Sequence, residues 1–249
     1  MSYSFQDVTY LETPSPHVVI DNFFPDVAAQ KCLEEAIALE PHYEDATPVN
    51  NFFSTDGTVP DYDDCEICKS DRQSRKDMVR FNSVVNLEEH YKNRRHESTL
   101  LQSLNAVLNN REFNTLMKSM PHLFPLADMV DHVETNISQY GRCNFYGWHT
   151  DDSGGKLLRM LSIVLHLNTE PQDYAGGELI LTGDTILDRK AYKPVHNRAI
   201  IFQSNQTVHA VQATHHEGGF ADSRFSFNIW LGFQYNDPYA FKYRQTIRG

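Results

Sequence analysis

From Asp131 to Phe233 the chain is a succession of short β-rich runs, separated by Gly, Asp, Asn and Pro. Val133, Thr135, Ile137 and Gln139 alternate with polar neighbours. A strand with that period of two has one face for a core and one for polar work. The runs Phe145 to His149, Leu157 to Leu167, Glu178 to Thr182, Ala199 to Gln203, Thr207 to Gln212 and Arg224 to Phe233 follow in quick order. Short strands at such spacing predict a β-sandwich or barrel. Leu161-Ser-Ile-Val-Leu-His-Leu167 is apolar almost throughout, as a central strand should be.

Upstream the pattern changes. His17 to Phe24 reads as a strand entering a turn, with Pro25 and Asp26 where a helix would start. Ala29, Leu33, Ala36 and Ile37 then keep helical spacing to about Leu39. Leu100, Leu101, Leu104, Val107 and Leu108 do the same, as do Phe113, Leu116, Met117 and Met120. These predict helices laid against the sheet. Between them, about 41 to 80 is polar and irregular. It reads as a lid or substrate loop, or equally as a disordered segment.

Composition narrows the class. With 249 residues and 40% hydrophobic content, the chain can bury one sizeable core. No apolar run approaches the roughly 20 residues that span a bilayer, and Met1 to Asp7 lacks the marks of a signal peptide. A formal charge of −11 argues against a broad nucleic-acid surface. Four cysteines without a secretion signal lead us to expect reduced thiols in a cytoplasmic protein. Cys65-Glu-Ile-Cys68 has zinc or redox spacing, but no second ligand pair accompanies it, so ordinary loop thiols are expected.

The residues with metal chemistry centre on His149-Thr-Asp151. Two residues apart on an extended strand, an imidazole and a carboxylate reach one ion from the same side. A second histidine from elsewhere would complete three facial ligands, the non-haem Fe(II) arrangement with open positions. The pattern alone is weak, because His42-x-Glu44, His132-x-Glu134 and His215-x-Glu217 compete with it. His209, on the later alternating run, is the chosen third ligand. Arg224, Ser226, Asn228 and Trp230 share one strand face, and an inward arginine matches a carboxylate with its fork. Arg159 reads either as a substrate contact or as half of an ordinary ion pair. His215 and His216 read as exposed loop residues, and Gly176-Gly177 as a tight turn.

Taken in order, these elements resemble the Fe(II)/2-oxoglutarate-dependent oxygenases, in particular the prolyl-hydroxylase-like branch that includes EGL-nine and prolyl 4-hydroxylases. The resemblance runs from about Tyr140 to Phe233. It rests on Tyr140, His149-Thr-Asp151, Leu165-His-Leu-Asn168, Gly176-Gly-Glu178, His209 and Arg224. It implies a mainly β fold with flanking α, a double-stranded β-helix (jelly-roll, cupin-like) supported by N-terminal helices. The chain would be a single oxygenase domain, 1–249, with helical support and a variable loop over 1–130, the jelly-roll core over 131–236 and a tail over 237–249.

Carried over residue by residue, the resemblance implies His149, Asp151 and His209 as Fe(II) ligands. Arg224 would hold the distal carboxylate of 2-oxoglutarate with help from Ser226, and Tyr140 would touch the same co-substrate. His166 stands where prolyl hydroxylases often carry a tyrosine. Asn228, Trp230, Arg159 and Tyr146 would line the substrate pocket. The implied reaction consumes O2 and 2-oxoglutarate, with ascorbate as reductant, and hydroxylates a C–H bond. The carboxylate at Asp151 favours hydroxylation over halogenation, which in related enzymes uses a small residue there.

Three functions fit the residues. The first is hydroxylation of a prolyl residue in a protein; the second is the same chemistry on a free amino acid or small metabolite. The third is a cupin-like metal-binding protein without catalysis, which has no need of Arg224. No nucleic-acid or membrane partner is expected. Neither the target, the carbon oxidised nor the oligomeric state is written in the sequence.

Overall fold

The computed structural model describes residues 5, 7–46, 80–120, 130–151, 157–169, 174–185, 187–215 and 217–234. Most of the 41–80 loop, the Cys65–Cys68 pair, His216 and the 237–249 tail lie outside these residues.

Two antiparallel sheets face each other. The larger runs β1 (Val8–Leu11), β2 (His17–Ile20), β12 (Ala199–Gln203), β8 (Leu157–Leu167), β15 (Arg224–Gln234), β6 (His132–Tyr140), β5 (Ser83–Asn86) and β3 (Glu44–Asp45). The smaller runs β11 (Arg189–Tyr192), β10 (Leu179–Thr182), β13 (His209–Val211), β7 (Phe145–His149) and β4 (Arg80–Phe81), beside a short pair of β14 (Thr214–His215) with β9 (Ala175–Gly176). This is the mainly β, double-stranded β-helix architecture expected from the run of short strands.

The helices cover the outer face of the large sheet. On β8, Leu161, Ile163, Leu165 and Leu167 point outward, as do Phe225, Phe227, Ile229 and Leu231 on β15. They pack into one core with Ala29, Cys32, Leu33 and Ala36 of α1 (Asp26–Ala38). Beyond the small helix α2 (Leu87–His90), Leu100, Leu101, Leu104 and Val107 of α3 (Thr99–Leu108) join the same core. Local chemistry sets the helix starts. Ser98 Oγ accepts from the Leu101 amide at 3.1 Å, and Asn110 Oδ1 from the amides of Glu112 and Phe113 at the head of α4 (Arg111–Lys118). Glu35 of α1 accepts from Ser98 Oγ at 2.7 Å and from the Leu100 amide at 2.9 Å, which fastens α1 to α3.

Two expectations need correcting. Strand β2 ends at Ile20, short of Phe24, because Asn22 adopts a left-handed backbone (φ 55°) and Phe23 and Phe24 bond to Asn197 instead. The thiols are not all reduced: Cys143, in the turn between β6 and β7, is disulfide-bonded, while Cys32 is free and buried. No helix among the described residues is long and apolar enough to cross a membrane.

Candidate active site

Register brings the distant histidines together. β13 pairs with β7 so that His209 lies opposite His149, and Asp151 follows two residues on. Among the described residues, His149, Asp151 and His209 form the one cluster fit for a metal: all three are buried, with ligand atoms within 4.8 Å of one another. Nε2 of His149 lies 3.5 Å from Asp151 Oδ1, and Nε2 of His209 lies 3.5 Å from Oδ2. Each Nδ1 faces a backbone carbonyl, Gly147 O at 2.8 Å and Thr207 O at 3.0 Å. A carbonyl only accepts, so each ring carries its proton on Nδ1. Each Nε2 then offers its lone pair, the state a metal requires.

Asp151 has a partner that sequence reasoning missed. Ser162 Oγ, on the inner face of β8, donates to Oδ2 at 2.5 Å and meets Ser204 Oγ at 2.9 Å. Burial by itself would raise the Asp151 carboxyl, but His209 and His149 outweigh it and hold it well below the usual carboxylate range. Burial pushes His209 down to about 4, with the His149 charge acting the same way, so at neutral pH it is an uncharged imidazole. Tyr146 stacks on the His149 ring at 3.5 Å and 12°, and Phe202 packs on His209 at 4.7 Å. Both imidazoles are thus fixed in plane as well as in tautomer.

The second half of the site is cationic. Arg224 is fully buried, its guanidinium 4.6 Å from the centre of the Tyr140 ring. Its NH2 donates to His166 Nδ1 at 3.4 Å. That leaves the neutral His166 ring, held well below its normal pKa by burial and by Arg224, with its proton on Nε2. Arg224 Nε, Arg224 NH1 and His166 Nε2 are all buried without a hydrogen-bond partner. Buried donors in that state each cost about 1–3 kcal/mol. An anion with several acceptor lone pairs fits them, and a planar carboxylate fits the guanidinium edge best.

The Gly-Gly pair lies at the junction of β9 and β10 with both residues at positive φ, and Gly177 has a second reason to lack a side chain. At φ +73°, a Cβ on it would lie 2.7 Å from Arg224 Cδ and 2.9 Å from Thr214 Cγ2. The glycine lets the link between β9 and β10 close over the arginine stem.

A cavity of about 150 Å³ is lined by all three residues of the metal-fit cluster, and Ser226 and Tyr140, on whose ring Arg224 packs, belong to its wall. Asn228 is tethered through Nδ2 to Asn136 Oδ1 at 2.8 Å and Ser138 Oγ at 2.9 Å. Arg159 forms the ion pair weighed for it and also faces the cavity. It pairs with Glu134 at 2.6 Å, and it lines the cavity with its guanidinium 3.9 Å over Trp230. Nine of the eleven residues expected in the site, all but Arg224 and His166, line this cavity; Arg224 packs on Tyr140 of its wall, and His166 bonds to Arg224 behind it.

The jelly-roll thus buries two histidines and an aspartate that could hold one metal ion, with a sealed arginine nearby. Residues 135–232 match the 2OG-Fe(II) oxygenase superfamily. Similar solved structures include a Pseudomonas putida prolyl-4-hydroxylase (TM-score 0.57, 18% identity, 87% of this chain and 92% of that one). Another is a Trichoplax adhaerens prolyl hydroxylase in complex with a hypoxia inducible factor peptide fragment (0.59, 15%, 87% and 83%). A non-heme alpha-ketoglutarate-dependent epimerase from nogalamycin biosynthesis is similar too (0.50, 10%, 90% and 81%). At these identities the likeness is one of fold. No curated protein matches the chain by sequence. The match to that family covers the jelly-roll core alone, and the fold is one that these prolyl hydroxylases share. The matched superfamily is named for 2-oxoglutarate and Fe(II).

Proposed function

We propose that this enzyme hydroxylates a prolyl residue in a protein, with His149, Asp151 and His209 holding Fe(II) and ascorbate keeping the metal reduced. The observation that carries the co-substrate assignment is the trio of partnerless buried donors on Arg224 and His166. Their number and planarity fit one end of a dicarboxylate. Donors of this kind persist in a folded protein when a ligand satisfies them.

Bound at this site, Fe(II), 2-oxoglutarate and O2 supply C–H oxidation coupled to release of succinate and CO2. The chain's own residues do the rest. Arg224 and His166 hold the distal carboxylate, and Ser226 and Tyr140 close around it. Burial raises the Tyr140 phenol, so it stays protonated and able to donate. Ser162 steadies the Asp151 carboxylate, and Tyr146 keeps the His149 ring in plane. Asn228, Trp230, Arg159 and Tyr146 form the substrate side. Two prolyl hydroxylases share the fold, which supports the choice of substrate.

The test is turnover with Fe(II) and ascorbate, following succinate, alongside mass spectrometry of candidate peptides and metabolites. The expected result is succinate formation and a gain of one oxygen on a prolyl peptide, both lost in His149→Ala. The oxygen appearing only on a free amino acid or small metabolite would replace the protein substrate. Metal bound without succinate would favour a non-catalytic cupin.

A further inference from the structure

Arg80 lines the same cavity, and the roles assigned above leave it without a task. Its position is set by backbone pairing, since β4 joins β7 with Arg80 opposite Tyr146. The guanidinium lies 4.6 Å from the centre of the Tyr146 ring, which itself stacks on the metal-side imidazole of His149 at 3.5 Å. Nε donates to Asn82 Oδ1 at 2.6 Å. Among the described residues no carboxylate meets Arg80, and its two terminal nitrogens make no hydrogen bond.

The other charges of the cavity wall are already matched. Arg159 spends Nε and NH2 on Glu134, and Asp151 accepts from Ser162 and belongs to the cluster proposed to hold the metal cation. One positive charge remains, beside the metal cluster, on a chain whose formal charge is −11. A guanidinium with one nitrogen tied and one face on an aromatic ring keeps little freedom to lose on binding. Its open edge presents the two parallel donors that a carboxylate accepts.

We infer that Arg80 binds a carboxylate on the substrate, so that the target is an acidic molecule oxidised at a carbon close to that carboxylate. The inference rests on the oxygenase reading above. Two sources supply the same chemistry: the α-carboxylate of a free amino acid, or an aspartate beside the target proline in a peptide.

The experiment titrates protein loaded with Mn(II) and 2-oxoglutarate, in which no turnover occurs, with two acid–amide pairs. These are L-proline against L-prolinamide, and a blocked Ala-Asp-Pro-Ala peptide against its Ala-Asn-Pro-Ala counterpart. At least one acid should bind about tenfold or more tightly than its amide, the scale of a charge-assisted contact. The pair that shows the preference names the source. Arg80→Gln should bring that ratio to about one, and Arg80→Lys should keep part of it. Equal binding of acid and amide, binding of none of the four, or a preference that survives Arg80→Gln overturns the inference. Succinate formation by the Fe(II) protein reports separately on the oxygenase reading. Succinate without an acid preference sinks Arg80 alone, whereas an Arg80-dependent acid preference without succinate sinks the oxygenase reading and keeps the anion site.

Discussion

Strands β8 and β15 lie side by side, and their two faces are both buried yet built on opposite principles. Outward, Leu161, Ile163, Leu165 and Leu167 meet Phe225, Phe227, Ile229 and Leu231, and the helices cover them with more hydrocarbon. Inward, the same strands present Ser162, Val164 and His166 beside Arg224, Ser226, Asn228 and Trp230. The outer face satisfies itself, since apolar side chains need only close packing. The inner face holds N–H groups with no partner, which costs stability and makes sense only where a ligand completes them. Burial alone does not separate a core from a site; the accounting of donors and acceptors does.

Four changes probe that contrast. Asp151→Ala should have the largest effect, reducing C–H oxidation to background by removing one of the three proposed metal ligands; turnover equal to wild type would show that the acid holds no metal. Phe227→Ala strikes the outer face, and urea denaturation should show a loss of about 3–5 kcal/mol. The folded fraction should still bind 2-oxoglutarate as wild type does. Arg224→Ala strikes the inner face and should do the reverse. Co-substrate affinity should fall by about 1.5–3 kcal/mol, while the ligand-free protein should lose less stability than Phe227→Ala causes. A ligand-free loss as large as that of Phe227→Ala would mean that the arginine is packing, not waiting.

The smallest effect concerns pH. His209 takes its proton at about 4 in the fold, against about 6.5 for a free imidazole, because burial disfavours the charged form. The unfolded chain therefore binds more protons between these values. Stability present above pH 6.5 should be lost progressively as the pH falls through about 4. Melting temperatures of the metal-free protein should decline over that window, and His166, also depressed by burial, acts in the same direction. A flat profile would contradict neutral burial of these rings.

Much of the site was legible because strand alternation sorts residues by face. Arg224, Ser226, Asn228 and Trp230 fall on one side by counting alone, and His149 and Asp151 likewise. Ser162 and His166 carried the same signal as the polar interruptions of an otherwise apolar strand, yet only His166 was singled out. Other contacts depend on pairing between distant segments, which a single sequence does not encode locally. Arg80 meets Tyr146 only through the β4–β7 ladder, and Glu134 of β6 meets Arg159 of β8 across the intervening β15. The role of Gly177 needed the third dimension as well, because its neighbour in space is the Arg224 stem. Upstream, the helix at Asp26 followed from apolar spacing, while the early end of its preceding strand followed from a bond to Asn197, far along the chain.

The most direct test is calorimetric titration of 2-oxoglutarate into the protein with and without Mn(II). If three ligands and a buried guanidinium grip the two ends of one molecule, a single site should appear whose affinity rises strongly with the metal and collapses in Arg224→Ala. Binding that ignores the metal, or that survives loss of the arginine, would contradict the account.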